Sequence, residues 1–130
     1  MLNEVRERIA AACRRAGRSP DEVKLIAVTK GQPVSEIERR VLDLGVNALG
    51  ENRIQEWRDK APELADRDVE WHFIGNLQRN KVKYCAPFHT IHSLNSERLA
   101  REMQRQAERL ETRDEFSDVT IGIFRISVRD

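Results

Sequence analysis

The sequence predicts an α/β fold with parallel strands. Segments of helical periodicity alternate with short apolar runs, the connections between them are short, and no repeat or long linker interrupts the alternation. Because such units join parallel strands by right-handed crossovers, we expect either an open doubly wound sheet or part of a β/α barrel. The length of 130 residues fits a single domain, residues 1–130, with one core.

The first half of the chain is predicted to run helix, strand, helix, strand, helix. Asn3 is expected to cap the first helix and Gly17 to end it, and a strand then leads to Lys30. Pro33 suits the first turn of the second helix, which Gly45 should end. A short strand at 47–50 and a helix of residues 51–64 follow. The apolar face of the second helix is expected to be Val34, Ile37, Val41 and Leu44.

The second half continues the alternation. A strand is predicted at 69–75, with Asn76 capping a helical turn at 77–84, and a fourth strand at 90–94. Asn95 or Ser96 should cap a long helix from Glu97 to about Arg113. A fifth strand is predicted at 119–128.

Composition excludes several classes of function. The net charge of +1 gives no sign of the excess of basic residues that nucleic-acid-binding proteins have, so we expect no nucleic-acid partner. The longest apolar runs fall well short of the roughly 20 residues that span a bilayer, and the first residues lack the apolar core of a signal peptide, so we expect no membrane partner and a cytoplasmic location. Cys13 and Cys85 are expected to pack in the core.

Lys30 is the first candidate functional residue. Period-2 alternation places Ile26, Val28 and Lys30 on one strand face, and we expect Ile26 and Val28 to be buried beneath the amine. Ligands gather at the carboxyl ends of parallel strands, and an amine held there can attack a carbonyl carbon. The alternative is a strand-terminal lysine that extends into water.

Further polar residues end or follow the other predicted strands, and parallel strands would bring them to the same rim as Lys30. Asn52 could bind a ligand or cap the helix that begins there, and His72 could act at the site or be a satisfied core histidine. His89 and His92 have poor spacing for a shared metal, so no metal site is predicted. The candidates at this rim are Asn52, His72, Gly75 and Ser93.

Four motifs, in order, resemble the pyridoxal phosphate homeostasis proteins of the YggS/PROSC type over about residues 1–115. They are Ala27-Val28-Thr29-Lys30 with Pro33, Gly50-Glu51-Asn52-Arg53-Ile54-Gln55-Glu56, Trp71-His72-Phe73-Ile74-Gly75-Asn76-Leu77-Gln78-Arg79-Asn80-Lys81, and Ile91-His92-Ser93.

The resemblance implies a TIM-barrel-type fold like the alanine racemase N-terminal domain, with pyridoxal 5′-phosphate (PLP) at the carboxyl ends of its strands. It implies that Lys30 forms a Schiff base with PLP and that Asn52 lies beside the cofactor, with His72, Gly75 and Ser93 lining the pocket. The implied function is PLP binding in vitamin B6 homeostasis, without an assigned reaction. Accordingly, we expect no catalytic residue.

The chain departs from this family in length and in one motif. Gln32 stands where many relatives carry a second lysine. A closed barrel needs eight strands and about 250 residues, so we expect a partial barrel of about five strands that corresponds to the N-terminal portion of its relatives. Two alternatives stay open: a racemase-like PLP enzyme acting on amino acids, and a partial barrel without cofactor that is stable only by self-association through unpaired sheet edges.

Overall fold

Helices and strands alternate along the chain. A computed structural model describes residues 1–111 and 120–121. Within these residues the helices are α1 Leu2–Ala16, α2 Val34–Arg40, α3 Ile54–Lys60 and α4 Glu97–Glu111. The strands are β1 Ala27–Val28, β2 Ala48–Glu51, β3 Glu70–Phe73, β4 Thr90–Ile91 and β5 Thr120–Ile121. Short 3-10 turns lie at Pro20–Glu22, Leu42–Leu44, Ala61–Leu64 and Arg79–Tyr84.

The five strands form one parallel sheet in the order β1-β2-β3-β4-β5. Right-handed crossovers in such a sequential order place all connecting helices on one face, whereas a doubly wound sheet requires the order to reverse. The structure therefore favours the barrel interpretation over the doubly wound one. The described residues contain five strands, fewer than the eight of a closed β/α barrel, so the barrel they form is incomplete.

The core lies between the sheet and the helices. Leu49, Trp71, Phe73 and Ile91 point from the strands toward the helical layer, and each is at most 8% exposed. They occupy alternate positions in register across β2, β3 and β4, as period 2 requires. The helical side of this core includes Ile37, Ile54, Trp57, Leu99 and Met103.

The opposite face of the sheet carries Ile26, Val28, Gly50 and Ile74. A Cβ built on Gly50 would lie 3.2 Å from Ile26 Cγ2 and 3.1 Å from Ile74 Cδ1, so these side chains meet over the glycine. Val28 is 52% exposed and Ile26 is half-buried. The expectation that both are buried beneath Lys30 is wrong, because this face would be the barrel interior and the barrel is incomplete.

The predicted helix ends are confirmed in part. Gly17 ends α1 in the left-handed conformation (φ 67°), as expected. The prediction that Gly45 ends the second helix is wrong, because α2 stops at Arg40 and Gly45 (φ 85°) ends the 3-10 turn that follows. Pro33 precedes α2 as its N-cap. Ser96, rather than Asn95, caps α4: its Oγ accepts a hydrogen bond from the amide of Leu99 at 3.1 Å.

Other local predictions are wrong. Asn3 lies inside α1, which begins at Leu2, and the 3-10 turn that follows Asn76 is capped by Gln78. Leu44 is 46% exposed because the chain tightens into a 3-10 turn that rotates it off the apolar face. Of the predicted fifth strand only Thr120–Ile121 is described, and the end of the long helix near Arg113 likewise lies outside the described residues.

Both cysteines are buried and unpaired, as expected. Burial raises the pKa of the Cys85 thiol to about 12, so the thiol is inert at neutral pH. Among the described helices, none combines the length and apolar character needed to cross a membrane.

Shortening a side chain should cost more stability on the buried face of the sheet than on the exposed face. Leu49→Ala, at a fully buried position, should lower the free energy of unfolding by about 2 to 5 kcal/mol, because it opens a cavity in the core. Val28→Ala on the exposed face should change it by less than about 0.5 kcal/mol. Chemical denaturation of both variants measures this difference, and equal losses would contradict the assignment of the faces.

Candidate functional site

The carboxyl ends of the first four strands form a continuous rim. The parallel hydrogen-bond ladder extends one residue beyond the strands, which holds the rim residues in register. The bonds run from the amide of Thr29 to the carbonyl of Gly50 (3.0 Å), from Ile74 to Glu51 (2.9 Å) and from His92 to Phe73 (2.9 Å). Lys30, Asn52, Gly75 and Ser93 each come directly after one of these ladder residues.

Lys30 is exposed in the turn that follows β1. Gly31, the next residue, has φ 72°, a conformation that L side chains rarely adopt, and this turn redirects the chain toward α2. The carbonyl of Thr29 also accepts a bond from the amide of Gln32 (3.1 Å), which closes the turn. The structure therefore presents the Lys30 amine to solvent from a well-defined backbone position.

A buried ion pair lies directly behind this turn. Lys60 Nζ is 2.7 Å from Glu51 Oε1 and donates a hydrogen bond to the carbonyl of Thr29 at 2.7 Å. Thr29 Oγ1 donates to the same oxygen of Glu51 at 2.7 Å. Glu51, Thr29 and Lys60 are 0%, 2% and 8% exposed, so water does not screen these contacts. The main chain just before Lys30 is held by the ends of β2 and α3.

Glu56 holds the main chain on the other side of Lys30. It accepts a hydrogen bond from the amide of Gly31 and one from Lys60 Nζ at 2.8 Å. The hydrogen bond from Lys60, followed by that from Gly31, lowers the pKa of the Glu56 carboxyl. We name Thr29, Glu51, Glu56 and Lys60 the lysine-turn network.

One carboxylate oxygen of this network has no protein partner. Glu51 Oε2 is buried and makes no hydrogen bond within the part of the chain that the structure describes. Such an atom costs free energy unless another donor reaches it. It lies in the same carboxylate that orients Thr29 and Lys60, directly behind the candidate site.

Gly75 contacts both Asn52 and Ser93. A Cβ on Gly75 would lie 2.1 Å from the carbonyl oxygen of Asn52, so only glycine allows this close approach. Ser93 Oγ donates a hydrogen bond to the carbonyl of Gly75. Asn52 does not cap α3, because the N-cap is Arg53. The alternative role considered for Asn52 is therefore wrong, and its half-buried side chain lies at the rim.

His72 occupies a different environment. Its Nε2 lies 2.8 Å from Glu70 Oε1 and its Nδ1 lies 2.9 Å from His92 Nε2. Burial lowers the pKa of His72, against the opposing effect of Glu70, so the ring is neutral at pH 7. Both ring nitrogens thus have protein partners, whereas Asn52, Gly75 and Ser93 are grouped with one another at the rim.

Sequence reasoning did not assign roles to the lysine-turn network. Glu51 and Glu56 lie in a motif already noted, but only the fold shows that their carboxylates meet Lys60. Two signals were available: the i,i+4 spacing of Glu56 and Lys60, and a glutamate at the end of the buried strand β2.

The chain is similar to known proteins over about four fifths of its length. No protein-family model matches the chain. The chain is 47% identical over 107 residues to the pyridoxal phosphate homeostasis protein of Aquifex aeolicus, which covers 82% of this chain and 46% of that protein. It is 43% identical over 113 residues to the protein of the same name from Escherichia coli K12, covering 82% and 48%.

Solved structures give the same result for the fold. The chain matches PipY of Synechococcus elongatus PCC7942 with PLP bound, at a TM-score of 0.67 and 38% identity, over 82% of this chain and 50% of PipY. PipY without PLP matches with a TM-score of 0.65 and 39% identity. The resemblance predicted from the motifs is confirmed. The chain spans about half the length of the curated relatives it matches.

Because Lys60 and Glu51 form a buried ion pair, we expect replacing Lys60 alone to lower the free energy of unfolding more than replacing both residues. Lys60→Met leaves Glu51 charged and unpaired in the core and should lower the free energy of unfolding by about 3 to 5 kcal/mol. Adding Glu51→Gln removes that charge, so the double variant should recover most of the loss. Urea denaturation of the three proteins tests this. A double variant as unstable as Lys60→Met would contradict the pairing.

The lowered pKa of Glu56 predicts a pH-dependent contribution to stability. The unfolded chain binds a proton at this carboxyl near pH 4.5, the ordinary value, whereas the folded chain binds it only at lower pH. The stabilisation is therefore present above about pH 4.5 and is lost as the pH falls through the folded pKa. Glu56→Gln should show a shallower loss of stability on acidification, with Glu63→Gln on the neighbouring 3-10 turn as the control. Identical acid profiles for Glu56→Gln and the parent chain would contradict this role.

Proposed function

We propose that this chain binds pyridoxal 5′-phosphate and serves in vitamin B6 homeostasis, as the names of its relatives indicate for those proteins. The observation that carries the proposal is the position of Lys30. Its amine is exposed at the carboxyl end of β1, and the backbone on both sides is held by the lysine-turn network. Bound PLP supplies an aldehyde, and an amine that solvent reaches can form a Schiff base with it.

The residues of the rim fit such a ligand. Lys30 would hold the aldehyde carbon covalently, and the half-buried Asn52 amide offers both donor and acceptor groups beside it. Gly75 brings the third strand end close to Asn52 without a side chain in the way, and Ser93 supports the Gly75 carbonyl. His72, with both ring nitrogens engaged, is better suited to support the rim from below than to contact the cofactor.

A storage role suits these residues better than catalysis. A racemase-like enzyme acting on amino acids needs a second acid or base opposite the lysine. The only tyrosine in the sequence, Tyr84, ends the 3-10 turn after β3, and its ring is covered by the guanidinium of Arg58 at 4.1 Å. No catalytic residue is therefore proposed.

Several expectations about partners stay predictions. A partial barrel has unpaired sheet edges, which favours self-association. A form of the chain that is stable only by association and binds no cofactor is the alternative to the proposal above. Neither nucleic acid nor a membrane is an expected partner, a cytoplasmic location is expected from composition, and residues 1–130 are expected to form one domain.

The test of the proposal is the covalent link to Lys30. Incubation with PLP should produce the visible absorbance of a protonated imine, and borohydride reduction should attach the cofactor to the peptide that contains Lys30. Lys30→Ala should lose both signals, because it removes the exposed amine at this position of the rim. The matched control is Lys83→Ala, which removes another exposed lysine and should leave both signals intact.

The experiment separates binding from folding. Circular dichroism of Lys30→Ala should match that of the parent chain, since the side chain is exposed. A folded parent chain that gives no imine absorbance, or label distributed over many lysines, would overturn the proposal. Racemisation or transamination of amino acids by the loaded protein would favour the enzyme instead.

A further inference from the structure

Three potential metal ligands meet on the sheet below the Lys30 rim. Glu70 begins β3, His72 lies two residues further on the same face, and His89 directly precedes β4. One ligand atom from each residue lies within 4.8 Å of the others. Glu70 Oε1 is 2.8 Å from His72 Nε2 and 3.4 Å from His89 Nδ1.

We propose that Glu70, His72 and His89 form a binding site for a divalent transition metal, with Zn²⁺ as the best-suited ion. Two imidazoles and one carboxylate are a donor set that Zn²⁺ accepts, whereas Mg²⁺ and Ca²⁺ prefer oxygen ligands. Ligand atoms bound to Zn²⁺ at about 2.0 to 2.2 Å in a tetrahedron lie roughly 3.3 to 3.5 Å apart. The two measured separations need only small changes to reach that spacing.

The surroundings of His72 support a ligand role. Metal-binding histidines generally donate a hydrogen bond from the second ring nitrogen, which fixes the ring and leaves the first nitrogen free of a proton. Without a metal, His72 Nε2 donates to the Glu70 carboxylate at 2.8 Å, and Nδ1 accepts from His92 Nε2 at 2.9 Å. Metal binding uses the other tautomer, in which Nδ1 donates to His92 and Nε2 is free to bind the ion. The His72 side chain is 3% exposed and therefore well ordered by its neighbours.

The other two ligands leave the site open to solvent. The side chains of Glu70 and His89 are 22% and 45% exposed, which provides a path for the ion and a fourth position for water. His89 Nδ1 also lies 2.8 Å from Thr90 Oγ1, a contact that its exposed ring can exchange for the metal.

Lys24 competes with the ion for Glu70. Its Nζ is 2.5 Å from Glu70 Oε1, and half of its side chain is exposed. In the absence of metal this ammonium neutralises the carboxylate. A metal ion must displace it, so Lys24 should weaken metal binding. An adventitious surface site elsewhere on the chain would be insensitive to Lys24.

The experiment measures Zn²⁺ binding to the chelator-treated chain by isothermal titration calorimetry, with Co²⁺ absorption as a readout of coordination. The parent chain should bind one equivalent. His89→Ala, at a half-exposed position, should lower affinity by more than about 100-fold, since losing even an outer partner of a ligand costs about 10- to 100-fold. X-ray absorption of the zinc complex should show two imidazoles.

Two lysine variants make the test specific. Lys24→Met should raise affinity by roughly two- to fivefold, the effect of removing one partly exposed ion pair. Lys83→Met, which removes a lysine outside the cluster, should leave it unchanged. Absence of Zn²⁺ binding by the folded parent chain, or equal affinity of His89→Ala and the parent, would overturn the proposal. It does not depend on PLP binding, because all measurements use the chain without added cofactor.

Discussion

The buried contact between Lys60 and Glu51 organises the candidate site. A lysine ammonium at the end of α3 meets a carboxylate at the end of β2, and both bind the residue that precedes Lys30. Burial of this pair costs desolvation free energy, which the mutual attraction and the hydrogen bonds of Thr29 and Glu56 offset. Because the partners come from a strand, a helix and a turn, the contact forms only when all three are in place.

The two faces of the sheet have different surroundings. One face packs its apolar residues against the helices and supplies the hydrophobic stabilisation. The other face carries half-buried or exposed apolar residues together with His72, which contacts Glu70 and His92. In a closed barrel that second face would be the interior. Within the described residues this face includes Val28, which is 52% exposed.

The Lys30 rim and the cluster of Glu70, His72 and His89 lie at different positions along the strands. The rim consists of residues that directly follow the strand ends; Lys30 there is exposed, and Asn52, Gly75 and Ser93 are half-buried. The cluster begins with Glu70 and His89 at the other end, at the starts of β3 and β4. His72 lies between them. Its contacts with Glu70 and His92 associate it with the cluster, although the motif that contains it also contains Gly75.

The order of helices and strands and the end of the first helix at Gly17 could be predicted from sequence, because periodicity and capping are local properties. The comparisons confirm the resemblance of the motifs to pyridoxal phosphate homeostasis proteins. Three features could not be predicted from sequence. They are the roles of Glu51 and Lys60, the close contact between the backbones of Asn52 and Gly75, and the choice between a doubly wound sheet and a barrel. These depend on which residues distant in sequence become neighbours, and only the strand order and register of the folded sheet determine that.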